Sequence, residues 1–116
     1  MIDGTEYHLE GQRILVVEDE VIIAMLIEDF VEELGGGIVG PVGSASSAVK
    51  LIESEDICAA TLDVNIADGS VYDAAAALRS RSIPFVFVTG YSDLPDCPPE
   101  FLDAPRLKKP FTLDQL

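Results

Sequence analysis

The chain has 116 residues, of which 48% are hydrophobic, so it holds one domain with a real core. Its formal charge of −14 argues against nucleic acid as a direct partner, because phosphate binding needs Lys and Arg; it leaves either plain solubility or a need for cations. No apolar run is long enough to cross a bilayer, residues 1–11 read as a polar leader without a signal-peptide pattern, and the two cysteines and one histidine lack zinc-type spacing, all of which fits a cytoplasmic domain with no membrane partner.

The first periodic element is "RILVVE", an apolar, β-branched run of strand length. Ile23, Leu26, Ile27, Phe30 and Leu34 then follow helical spacing, and "GGG" at 35–37 stops that helix. A second strand is predicted over about 38–42, and Ala45, Ala48, Val49 and Ile52 mark a second helix. "CAATL" predicts a third strand that ends at Asp63, with Cys58 as a small core residue. Val71, Ala74, Ala75 and Leu78 mark a third helix, opened by Ser70 with Asp73 three residues on, a capping-box arrangement. "FVFV" at 85–88 is the fourth strand. A proline-rich stretch follows, then a short fifth strand near 106–108 and the cap of a last helix at Thr112.

Strand and helix alternate throughout, which predicts an α/β domain with a parallel sheet covered on both faces. Such sheets place their sites at the carboxyl ends of strands, at the switch point in strand order. Glu18 and Asp19 end the first strand, Asp63 the third, Thr89 and Gly90 the fourth, and Lys109 the fifth. Taken singly, each has an ordinary reading: a helix-starting acid, a turn residue, a solvated lysine. Together they place three carboxylates, a hydroxyl and an ammonium at one edge, a set that suits a hard cation and a phosphoryl group. Mg²⁺ takes oxygen ligands, commonly one or two carboxylates, and offsets repulsion among acids. A carboxylate can itself be the nucleophile, forming an aspartyl phosphate. Lys109, Thr89 and the backbone amides of Val64 and Gly90 are the candidate stabilisers of phosphoryl charge. Glu20 reads instead as a helix-start residue that favours the N-terminal dipole.

"ILVVEDE", "ATLDVN", "FVFVTGYSD" and "LKKPF", in this order and spacing, closely resemble the receiver domain of bacterial two-component response regulators over residues 12–116. The resemblance implies a flavodoxin-like, doubly wound five-stranded parallel sheet of order 2-1-3-4-5. It implies that Asp63 is the phosphoacceptor, that Glu18 and Asp19 are the acidic pair for Mg²⁺, and that the Asn65 carbonyl is a further metal ligand. Thr89 and Lys109 would contact the phosphoryl group, and the peptide between Lys109 and Pro110 would be cis. The stretch 84–93 also looks like the largely single-domain subgroup whose fourth strand ends in a Phe-x-Phe-Ala-Thr-Gly-Tyr type motif, with Val88 in place of the alanine.

Three features depart from the family pattern. Arg106 stands where the usual switch aromatic would be, which makes Tyr91 a candidate switch residue against its plainer reading as a packed loop tyrosine. The stretch 92–106 carries four prolines, so the fourth helix is degenerate, at most a turn around 100–103. The fifth helix is truncated to "TLDQL", which would uncover apolar surface for a second copy of the chain or for a fused or downstream effector. The implied function is a regulatory phosphoacceptor, assisting its own phosphorylation and dephosphorylation but not a classical enzyme. Its phosphodonor would be a histidine kinase or a histidine phosphotransfer protein docked beside the first helix. The rival reading is a receiver-shaped interaction module that is never phosphorylated. An aspartate-based phosphatase of the dehalogenase type would need a second acid where Asn65 stands, and neither nucleotide-binding glycine motif is present.

Overall fold

In the computed structural model of the chain, residues 11–64, 66, 70–89, 99 and 105–108 are described, with backbone alone at 89 and 106–108. Eight elements follow in order: β1 (Arg13–Val17), α1 (Val21–Glu33), β2 (Gly37–Val42), α2 (Ala45–Ser54), β3 (Ala59–Asp63), α3 (Val71–Ser80), β4 (Phe85–Thr89) and β5 (Arg106–Lys108). The strands form one parallel sheet of order β2-β1-β3-β4-β5, the predicted topology. The predicted turn around 100–103 and the final helix lie outside the described residues. No helix among the described residues is long and apolar enough to cross a membrane.

Strand parity sorts the core into two layers. Leu15, Val17, Ala60, Leu62 and Phe87 face α2 and α3, where Ala48, Ile52, Ala74, Ala75 and Leu78 are fully buried. The three alanines let those two helices lie close to the sheet. On the other face, Ile14, Val16 and Val88 meet Ile27 and Val31 of α1. Phe87 sits at the centre of the first layer, edge-on to Tyr72 at 5.6 Å and to Phe85 at 5.3 Å between ring centroids.

Caps set the helix ends. Ser44 Oγ accepts from the Ser47 amide at 3.2 Å and Ser70 Oγ from the Tyr72 amide at 3.3 Å. The Ser70 cap thus works through Tyr72, with Asp73 in the first turn of α3. The glycine run stops α1 as expected. Gly35, at φ 90°, donates to Glu32 O at 3.0 Å and Gly36 donates to Val31 O at 2.9 Å, the paired bonds of a Schellman motif.

Two features differ from the sequence expectation. Cys58 is exposed: β3 begins only at Ala59, and Cys58 just before it has its amide bonded to Arg13 O at 2.8 Å. β2 is also irregular. Leu15 pairs with Val39 but Val17 with Val42, so β2 carries one extra residue there, a β-bulge. Gly40 occupies it at φ 93°, followed by a cis peptide to Pro41.

Candidate functional site

The carboxyl edge of β1 and β3 gathers the acids. Val17 pairs with Leu62, so Glu18 and Asp63 are the next residues along two neighbouring strands. Both are buried, at 4% and 1% exposure. The Glu18 amide donates to Val42 O at 2.8 Å, which fixes its backbone to β2 just past the bulge. The Glu20 amide donates to Glu18 Oε2 at 3.2 Å.

Carboxylate oxygens of Glu18, Glu20 and Asp63 lie within 4.8 Å of one another. At an effective dielectric near ~20, two carboxylates at that separation repel by about 3 kcal/mol. Three hard oxygen donors so placed are the chemistry of a divalent-cation site, and a cation would offset the repulsion. The donor set therefore fits the predicted metal.

The predicted residues divide as follows. Glu18 and Asp63 come together as expected. Asp19 is exposed and lines a groove of about 300 Å³ beside α1 together with Glu18, Met25, Glu28, Pro41 and Gly43. A Cβ added at Gly43 would stand 3.2 Å from Asp19 Cβ, so glycine there permits this close approach. Glu20 is the N-cap residue of α1, as its helix-start reading required, but its carboxylate joins the acid cluster. The signal that could have found it is the two-residue spacing from Glu18, since alternate residues of extended backbone share a side.

The Val64 amide, a predicted phosphoryl donor, has a backbone partner. It donates to Val88 O at 3.0 Å, because the β3–β4 ladder runs one residue beyond Asp63. Thr89 ends β4 beside Lys108 in β5. Asn65, Gly90, Tyr91 and Lys109 lie outside the described residues.

A five-stranded parallel sheet with an acid cluster at its switch point defines a class of α/β regulatory and binding proteins. The sequence matches the response regulator receiver domain over residues 14–116. The chain belongs to that family, the receiver domains of two-component signalling. Among solved structures it is similar to SdrG from Sphingomonas melonis Fr1, with a TM-score of 0.77 and 45% identity, covering 89% of this chain and 87% of that one. It is also similar to the receiver domain of the sensor histidine kinase PA1611 from Pseudomonas aeruginosa PAO1, described with a magnesium ion in its active-site cleft: TM-score 0.77, 26% identity, 90% of each chain. The phyllosphere-induced regulator PhyR of Methylorubrum extorquens is 35% identical over 104 residues, 87% of this chain and 37% of PhyR. The transcriptional regulatory protein PdtaR of Mycobacterium tuberculosis is 32% identical over 108 residues, 90% of this chain and 53% of PdtaR. The chain thus spans between a third and just over half the length of these two regulators.

Proposed function

We propose that the domain is a phosphorylation-operated switch whose phosphoacceptor is Asp63. The observation that carries this reading is a nearly fully buried carboxylate at the carboxyl end of β3, with the oxygens of Glu18 and Glu20 within 4.8 Å. A lone buried acid would sit poorly there, whereas an acid paired with a cation would be a charged nucleophile held in place. An oxygen of Asp63 attacks phosphorus, the P–N bond of a donor phosphohistidine breaks, and the released imidazole takes up a proton. Bound Mg²⁺ supplies positive charge that offsets the acids and the incoming phosphoryl group. Glu18, Asp19 and Asp63 are the residues to hold it, with the Asn65 carbonyl as a further oxygen. Thr89, Lys109 and the Gly90 amide are the proposed phosphoryl partners, and Tyr91 the proposed switch residue.

The donor is a histidine kinase or a histidine phosphotransfer protein. The top of α1 offers it an apolar surface: Val21, Ile22 and Met25 are 71%, 79% and 56% exposed. Magnesium in the PA1611 receiver and the BeF₃-activated conformation described for SdrG lend support by family likeness.

The test is incubation with Mg²⁺ and a small phosphodonor, followed by mass spectrometry. The expected product is an acid-stable, base-labile adduct of one phosphoryl group that Asp63→Asn abolishes. No adduct from a small donor or from a phosphorylated kinase domain would refute the proposal and leave a receiver-shaped interaction module.

A further inference from the structure

One wall of the groove beside α1 is the helix itself. Val21, Ala24, Met25 and Glu28 line it at the i, i+3, i+4, i+7 spacing of a single helix face, and Pro41 and Val42 of β2 line it too. Ile22, the most exposed apolar residue at the top of α1, is not among the lining residues, so the groove lies on the β2 side of the helix. Its volume of about 300 Å³ is at the lower end of ligand-sized clefts, room for one long side chain. Glu28 is half-buried in this mainly apolar wall, and no hydrogen bond or ion pair reaches it among the described residues. It belongs to no group of three acids that could hold a metal ion there, so a divalent cation has no cage at this position.

The charge of α1 sharpens the question of what fits. The helix carries no Lys or Arg, and Glu28, Asp29, Glu32 and Glu33 all fall in its carboxyl-terminal half. Acids at that end oppose the helix dipole, and the pairs Glu28–Glu32 and Asp29–Glu33 repel across one turn. Within the chain these acids cost the helix stability; a cation from outside would offset them.

We propose that the groove receives an arginine side chain of a different protein. Its aliphatic stem lies along Val21, Met25 and Pro41, and its head pairs with Glu28. A guanidinium suits a half-buried carboxylate because it is less strongly hydrated than an ammonium. A second copy of this chain is a poor source, since each copy carries a formal charge of −14. The proposal goes beyond the phosphoacceptor reading and needs neither Asp63 nor the cation.

The experiment titrates two capped tripeptides, arginine or glutamine between two leucines, into the ¹⁵N-labelled chain. Mg²⁺ is kept in excess so that the acids at the strand ends are screened, and amide shifts are followed by NMR. The arginine peptide is expected to shift Met25, Glu28 and Val42, and the glutamine peptide to bind about fivefold more weakly. Glu28→Gln is expected to weaken the arginine peptide about fivefold as well. Glu33→Gln removes the same charge from an exposed position outside the groove and is expected to keep affinity within about twofold. Equal binding of the two peptides would make the groove a purely apolar contact. Equal losses in the two variants would reduce the effect to bulk charge, and shifts centred on Ile22 and Leu26 would put the occupant on another face of α1. Each of these overturns the proposal, as does binding of neither peptide. An Asp63 adduct formed alongside any of them leaves the phosphoacceptor reading intact.

Discussion

Replacing Gly40 by alanine tests the bulge in β2. Gly40 holds φ at 93°, a backbone conformation that costs an L-residue about 1–2 kcal/mol. An added Cβ would also stand 3.0 Å from both Val16 O and Val42 N. Both are backbone atoms in paired strands, so neither can rotate aside, and overpacking of this kind costs about 1–3 kcal/mol. The expected loss is therefore about 2–5 kcal/mol against a total stability of ~5–15. In urea unfolding followed by circular dichroism, with an m-value of ~2 kcal/mol/M, the midpoint should fall by about 1–2.5 M. Gly37→Ala in the same strand is the control. Its Cβ would meet only Gln12 O, at 3.8 Å, and its φ is not positive. It should stay within about 0.5 kcal/mol. Equal midpoints for the two variants would refute the bulge argument.

Thr61→Val should be neutral or stabilising by up to about 1 kcal/mol, because Thr61 Oγ is buried without a hydrogen bond among the described residues; a clear loss in the same urea assay would place a partner on the hydroxyl. Ser44→Ala should cost about 1 kcal/mol through the lost cap on Ser47, whereas Ser46→Ala, at an exposed position, should cost less than about 0.5. Phe87→Ala should cost about 3–5 kcal/mol, since the ring is fully buried between two edge-on partners; a loss under 2 would mean the core collapses onto the space.

The elements were legible because their signals are local. Val71, Ala74, Ala75 and Leu78 repeat at helical spacing, and all four are buried in α3. The fifth strand, though only three residues long, falls on Arg106–Lys108 as predicted. What sequence alone missed depends on pairing. The bulge exists only in the register between β1 and β2, and nothing in "GPV" announces that Val42 rather than Pro41 will face Val17. Cys58 looked like core because its neighbours are apolar, but it lies just before β3 and is exposed, while Ile57 beside it is buried. β3 ends at Asp63 as predicted, but the bond from the Val64 amide to Val88 O continues the ladder to β4 by one residue, which only the pairing reveals.

The acid site joins the legible and the illegible parts. Glu18 and Asp63 follow from strand ends, which periodicity reveals. Which third acid joins them depends on the direction of the backbone after β1, and β2 helps set that direction. The bulge brings Val42 O to the Glu18 amide at 2.8 Å, and Glu18 Oε2 in turn receives the Glu20 amide at 3.2 Å. A chain of contacts therefore runs from the bulge at Gly40, which bears no charge, to the Glu18 carboxylate and the Glu20 backbone amide. If that chain orients the cluster, Gly40→Ala should weaken Mg²⁺ binding as well as stability, while Phe87→Ala, in the layer against α2 and α3, should lower stability with affinity preserved in the folded fraction. Affinity that falls equally in both variants would trace the effect to general loosening of the fold and detach the bulge from the site.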